Sequence, residues 1–133
     1  MIAADTNVVV RLLTRDDKEQ SRSAEHLFRE NQVFVPDTVL LETVWVLTSA
    51  YSFEPSQIVD GLKRLLGLPT VVISNAEAIS NAVAWYEQGL DFADALHLAT
   101  SQNAGQLATF DREFVKRARG MGRCPVIEVA SAR

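Results

Sequence analysis

Short apolar segments alternate with amphipathic stretches along the chain. Between Pro55 and Gly67, Ile58, Leu62 and Leu65 recur at intervals of four and three residues, the spacing of one helical face. The β-branched run at 70–73 that follows is typical of a strand. The pattern predicts five strands, at residues 2–4, 33–35, 70–73, 107–110 and 125–129, and seven helices, at about 8–13, 16–31, 37–51, 55–66, 76–88, 91–103 and 113–119.

This order of elements predicts an α/β fold. Strands that alternate with helices form mostly parallel sheets, and the helices pack on both faces. The first strand is expected to be buried because it is short and apolar. The sequence has no internal repeat, low-complexity tract or linker rich in Pro, Gly or Ser, so we expect a single domain over residues 1–133.

Composition excludes several classes of protein. Hydrophobic residues make up 47% and charged residues 23% of the chain, which is ordinary for a globular protein and unlike a disordered one. The single Cys124 excludes an intramolecular disulfide and a CxxC metal site. No apolar run reaches the roughly 18 residues of a membrane span, and the N-terminus lacks the pattern of a signal peptide, so a cytoplasmic location is expected.

Two carboxylates follow predicted strands directly. Asp5 comes after the first strand and Asp111 after the strand at 107–110. Ligands of open α/β sheets bind outside the carboxyl ends of the strands, which favours a functional role for both residues. Each is also placed to cap the helix that follows it, and this structural explanation stays open.

Two further carboxylates lie on predicted helices. Glu42 stands among apolar residues in mid-helix, where an unpaired buried charge is costly. Either Arg11 or Arg15 pairs with it, or its helix faces a cleft and presents the carboxylate to a cation. Asp94 falls in the first turn of the helix capped by Asp91, and their i, i+3 spacing allows both to face one site.

Converging carboxylates repel one another unless a cation lies between them. Mg²⁺ prefers carboxylate and water oxygens, and Mn²⁺ is a substitute with similar preferences. The two histidines, His26 and His97, are interpreted as surface or core residues, so no His/Cys cluster competes for a softer metal. Mg²⁺ held by carboxylates commonly meets a substrate phosphate, which favours metal-assisted hydrolysis of a phosphodiester.

Four segments carry a resemblance to a known family. They are DTNVVVRLL at 5–13, LETVWVL at 41–47, DFADAL at 91–96 and ATFDREF at 108–114. In this order and spacing the chain resembles the PIN-domain ribonucleases, most of all the VapC-type toxins of bacterial toxin–antitoxin pairs. The resemblance covers residues 2–114. It implies a PIN-like three-layer sandwich with a mostly parallel central sheet of four to five strands.

The resemblance also implies roles for individual residues. Asp5, Asp94 and Asp111 would hold Mg²⁺ directly or through water, and Glu42 would bind metal-bound water or a second ion. A supporting set would orient these carboxylates, with Asp91 the least constant of its positions in the family; this set is Thr6, Asn7, Thr109 and Asp91.

The implied activity is endoribonucleolytic cleavage of a structured cellular RNA. The implied partners are the RNA substrate, a cognate antitoxin that covers apolar helices, and a second copy of the chain in a homodimer. Part of the stretch 44–51, which carries Trp45 and Tyr51, could belong to such a partner surface; most of it is expected in the core.

Two other classes of function stay open. An acidic-site phosphoryl-transfer domain fits the length and charge, but a receiver needs paired acids after the first strand and a late Lys, and a phosphatase needs Asp-x-Asp where this chain has Asp5-Thr6-Asn7. A non-catalytic interaction module that keeps the fold is disfavoured by the complete acidic set.

The charge balance looks unfavourable for an RNA partner at first. The chain has 17 acids and 13 bases, a net charge of -4. Setting aside the four candidate site acids leaves 13 acids against 13 bases, so the acidic excess equals the proposed metal site. A basic stretch near the C-terminus forms either a solvated helix face or a phosphate-binding rim; its candidate RNA contacts are Arg112, Lys116 and Arg117.

Overall fold

Strands and helices alternate in the computed structural model, which describes residues 1–130. The described elements are β1 (Ile2–Ala3), α1 (Thr6–Thr14), α2 (Lys18–Glu30), β2 (Val33–Phe34), α3 (Asp37–Ser49), α4 (Pro55–Leu66), β3 (Val71–Val72), α5 (Ala76–Glu87), α6 (Phe92–Ala99), β4 (Leu107–Thr109), α7 (Arg112–Arg117) and β5 (Val126–Glu128). All strand pairs are parallel. The predicted α/β class with parallel strands is therefore confirmed.

The chain forms two compact units, Met1–Asn75 and a second that begins at Ala76. The first unit contains a three-stranded sheet in the order β1-β2-β3, and the second contains the pair β4-β5. The prediction that residues 1–133 form one domain stays a prediction.

The central strand of the first unit is buried and its edge strand is not. Val33 pairs with Ile2 on one side and with Val71 on the other, and Val33 is fully buried. In β1, by contrast, Ile2 is 41% exposed and Ala3 is also exposed. The expectation of a buried first strand is wrong for these two residues, because β1 lies at the edge of its sheet and has one hydrogen-bonded neighbour there.

Four helices supply the core of the first unit. Helix α1 packs against α2 and α3, and α3 packs against α4. Val9, Leu40, Leu47 and Leu62 are each at most 1% exposed. Removing this much apolar surface from water is the main force that holds such helices together.

The second unit is built on the helix pair α5–α6 and on β4 and β5. Tyr86 and Phe92 meet edge to face with ring centroids 5.5 Å apart. Helix α7 contacts both strands of this unit. Residues 120–122 lie in a turn, where Gly120 and Gly122 have φ of 79° and 70°, a left-handed conformation that costs glycine least. A Cβ at Gly122 would also overlap the side-chain amide of Gln102.

Over residues 1–130, no helix combines the length and apolar character needed to cross a membrane.

Candidate acidic site

Two of the four candidate acids, Asp5 and Asp111, cap helices. The Oδ1 of Asp5 accepts a hydrogen bond from the backbone N–H of Val8 at 3.2 Å. The Oδ1 of Asp111 accepts from the N–H groups of Glu113 and Phe114 at 2.9 and 3.2 Å. In both residues the second oxygen makes no hydrogen bond within the described chain. Each carboxylate therefore stabilises its helix and keeps one oxygen for a ligand.

Glu42 is exposed on α3, which differs from its expected burial. Its Oε1 accepts a short hydrogen bond from the hydroxyl of buried Thr6. The two cations considered as partners bind elsewhere: Arg11 lies 3.1 Å from Asp16, and Arg15 lies 2.5 Å from Glu25. A hydroxyl, rather than a cation, therefore holds this carboxylate and leaves its charge uncompensated.

The remaining supporting residues differ in what they contact. Asp91 caps α6, since its Oδ2 accepts from the N–H of Asp94 at 3.3 Å. The hydroxyl of Thr109 accepts from the backbone N–H of Asp111 at 3.0 Å, so it orients the main chain at that residue. Asn7 is exposed, and its side chain makes no hydrogen bond within the described residues.

In the second unit, nearby negative charges affect the ionisation of Asp94. Partial burial is the largest effect that raises the pKa of the Asp94 carboxyl, and the negative charges of Asp91 and Asp111 raise this pKa further. His97 acts in the opposite direction. The charges of Asp91 and Asp111 thus lie close enough to Asp94 to disfavour its ionised form, and a bound cation would relieve this repulsion.

The donor chemistry of these residues fits a hard divalent ion. Carboxylate oxygens that carry no competing ion pair are the ligands Mg²⁺ and Mn²⁺ prefer. Within residues 1–130, no group of three or more His, Cys, Asp or Glu side chains is arranged to hold a metal ion. The histidines His26 and His97 are both exposed, in agreement with their interpretation as surface or core residues.

The candidate RNA contacts lie on α7 and are exposed. Arg112 lies 2.9 Å from Glu128, and Arg117 lies 3.6 Å from Glu113. Lys116 makes no ion pair within the described chain. Exposed ion pairs of this kind are weak, about 0–1 kcal/mol, so both guanidinium groups can exchange their carboxylate partners for phosphate.

A groove between α1 and α2 opens beside Asp5. Its volume is about 430 Å³, and polar side chains from both helices line it, among them Asn7, Arg11, Gln20 and Ser23. Sequence reasoning missed this groove. The sequence does show polar residues one helical turn apart on each helix, at Asn7 and Arg11 and at Gln20 and Ser23. It does not show that these two helical faces meet.

The chain matches the family model described as PIN domain over residues 2–120. It belongs to the PIN domain family, which confirms the resemblance at the level of the family. Among solved structures it is similar to that described as Mycobacterium tuberculosis VapC20, a sarcin-ricin loop cleaving toxin, with 21% sequence identity and a TM-score of 0.44 over 94% of this chain and 99% of the other. No curated protein matches the chain.

Proposed function

We propose that this protein is an Mg²⁺-dependent endoribonuclease and the toxin of a toxin–antitoxin pair. The observation that carries the proposal is the PIN domain match over residues 2–120, a range that includes the four candidate acids. The proposed metal-binding and catalytic residues are Asp5, Glu42, Asp94 and Asp111. The reaction is hydrolysis of a phosphodiester bond in cellular RNA.

Three of the four acids have a local contact that suits this role. Capping fixes Asp5 and Asp111 with one oxygen each. Thr6 holds one oxygen of Glu42 in place. These carboxylates would hold a divalent ion, and that ion would supply activation of water and stabilisation of the negative charge that develops on the phosphate. The contacts of Asp5, Glu42 and Asp111 would keep these side chains oriented for the ion.

Further features support the proposed RNA substrate and partners. Arg112, Lys116 and Arg117 place exposed positive charge on α7, directly after Asp111, where RNA phosphates can bind. Trp45 is 68% exposed on α3, which suits a surface for an antitoxin or for a second copy of the chain in a homodimer. A cytoplasmic location follows from the RNA substrate and is part of the proposal.

Cleavage of total cellular RNA by the purified protein tests the proposed chemistry. We expect cleavage with Mg²⁺ or Mn²⁺ and none in excess chelator. Asp5→Asn and Asp111→Asn each lower the cleavage rate by more than about a hundredfold, because an amide is a poor ligand for Mg²⁺ but still caps a helix. The same substitutions abolish growth inhibition when the protein is expressed.

Asp17→Asn is the matched control for these variants. Asp17 caps α2 through the N–H of Gln20 at 3.0 Å but is not a proposed ligand. This variant keeps its cleavage rate within about twofold of that of the unchanged protein. Equal cleavage with and without chelator contradicts the metal mechanism, and full toxicity of Asp5→Asn removes Asp5 from the site.

A further inference from the structure

The groove between α1 and α2 contains polar atoms with no partner in the described chain. The side-chain amide of Asn7 and the hydroxyl of Ser23 both line it, and neither makes a hydrogen bond within residues 1–130. Val8 and Leu27 supply apolar surface in the same groove. The groove therefore offers a hydrogen-bonding edge and an apolar wall to one ligand.

Arg11 gives the groove a fixed guanidinium group. Its Nε donates to the side-chain oxygen of Gln20 at 2.7 Å, and its Nη1 donates to Asp16 at 3.1 Å and to the hydroxyl of Tyr51 at 3.0 Å. Its Nη2 makes no hydrogen bond within the described chain. Three partners thus hold the group in one orientation and leave two N–H donors without a partner.

The charge of the groove disfavours a phosphate as its occupant. Arg11 is the single cation of the lining, its charge is compensated by Asp16, and Asp5 adds a negative charge. The volume of about 430 Å³ lies within the range of roughly 300–1,000 Å³ that small ligands occupy. A flat, uncharged heteroaromatic group with donors and acceptors at its edge suits these properties.

We propose that this groove binds one unpaired RNA base next to the phosphate that is cut. An asparagine amide presents a donor and an acceptor together, which is how side chains read base edges, and proteins read RNA sequence mainly on such splayed bases. Asp5 lies in the lining, so a base in the groove places its own phosphate near this carboxylate. The inference rests on the proposed function, and it assigns base selection to Asn7 and Ser23.

Cleavage of a random-sequence RNA pool, followed by sequencing of the fragment ends, tests this assignment. The unchanged protein prefers one base at a position beside the cut. In the double variant Asn7→Ala with Ser23→Ala this preference falls about tenfold, the ratio that a hydrogen bond of ordinary strength supplies. Asn103→Ala with Ser80→Ala, at two exposed positions of the second unit, is the matched control and keeps the preference.

A binding experiment separates base recognition by the groove from RNA cleavage. Asp111 lies outside the groove, and Asp111→Asn keeps the helix cap while removing a proposed metal ligand. This variant is therefore used as a cleavage-deficient background. In this background we measure fluorescence anisotropy with four RNA homopolymers of about ten nucleotides, a length typical of single-strand sites. We expect one homopolymer to bind most tightly. Adding Asn7→Ala with Ser23→Ala reduces the ratio of its affinity to that of the other homopolymers about tenfold.

The outcomes of the two arms are distinct. Cleavage with a base preference unchanged by the groove variants overturns the assignment and leaves the proposed nuclease intact. Absence of cleavage by the unchanged protein, together with a base preference in binding that the groove variants remove, overturns the nuclease and supports the groove. A preference absent from both arms overturns the assignment.

Discussion

An aspartate at a helix N-terminus uses one carboxylate oxygen for the cap and keeps the second. The sequence offered capping and metal binding as competing explanations for Asp5, but the cap uses only Oδ1, so it is compatible with the proposed metal binding. The exposure of Glu42 was misjudged because its neighbours along the chain are apolar. Successive helical residues point about 100° apart, and the residues on the face of Glu42, Thr38 and Trp45, are exposed. The four candidate acids could be chosen from the sequence, but the exposure of Glu42 depended on its helical face.

At the residue scale we predict that Thr6 positions Glu42. Thr6→Val keeps the shape of the buried side chain and removes the hydroxyl that Glu42 accepts from. We expect the RNA cleavage rate to fall about tenfold, a typical effect of losing an outer partner of a metal site. Thr6→Ser restores most of the rate because it restores the donor.

Two comparisons show whether the effect acts through Glu42. Thr48→Val, which removes a hydroxyl bonded only to the backbone of the same helix, leaves the cleavage rate unchanged. In a Glu42→Gln background, Thr6→Val lowers the remaining rate by less than about twofold. A tenfold loss in that background contradicts the positioning role.

At the scale of elements, the helices follow from apolar periodicity, and their observed bounds mostly lie within two residues of those predicted. Helix α6 is the exception, because it ends at Ala99 rather than near 103, where residues 100–104 continue as turns. The exposure of β1 was not predictable in this way. Strand order depends on pairing between segments distant in sequence, and a two-residue strand carries no pattern that separates an edge from a centre.

A polar network joins α1 to the segment that follows α3. Tyr51 donates to Asp16 at 2.7 Å and accepts from Arg11 at 3.0 Å. The hydrogen bond from Tyr51 is the largest effect that lowers the pKa of Asp16, followed by the hydrogen bond from Thr14. Because the pKa is lowered in the folded state, the ionised carboxylate stabilises the fold above its unfolded pKa, and this contribution is lost as the pH falls.

We therefore predict that Tyr51→Phe lowers stability in a pH-dependent way. The midpoint of urea unfolding falls at pH 7, and the difference from the unchanged protein narrows as the pH falls below about 4, near the unfolded pKa of aspartate. In an Asp16→Asn background the same substitution has an effect that does not change with pH. A difference that stays constant from pH 7 to pH 3 in the unchanged background contradicts this account.

At the scale of the whole molecule, the net charge of -4 is equal in size to the summed charge of the four proposed site acids. Acids that repel one another lower the stability of the metal-free fold, and the second unit shows this repulsion around Asp94. The sequence did not predict that neighbouring carboxylates raise the pKa of Asp94, since this depends on burial and distance in the folded chain.

We predict that Asp94→Asn makes the metal-free protein more stable. The substitution removes a partly buried charge that two neighbouring carboxylates disfavour, so the melting temperature rises on the order of 2 °C at pH 7. Adding Mg²⁺ raises the melting temperature of the unchanged protein but not that of the variant, which has also lost its cleavage activity.

Glu113→Gln is the control for charge alone. It removes one negative charge from the same unit, but Glu113 is paired with Arg117 at 3.6 Å, so the melting temperature does not rise and the response to Mg²⁺ is kept. A decrease in the melting temperature of metal-free Asp94→Asn contradicts the proposed cost of the charge.

The helix caps at Asp5 and Asp111 also have a genetic consequence. One nucleotide change converts an aspartate codon into an asparagine codon, and asparagine caps a helix as well as aspartate does. At these two positions a single mutation can therefore remove the proposed chemistry while the chain still folds. Such an allele encodes an intact protein that competes with the active form for the same binding partners, so its effect is expected to be dominant when both are expressed.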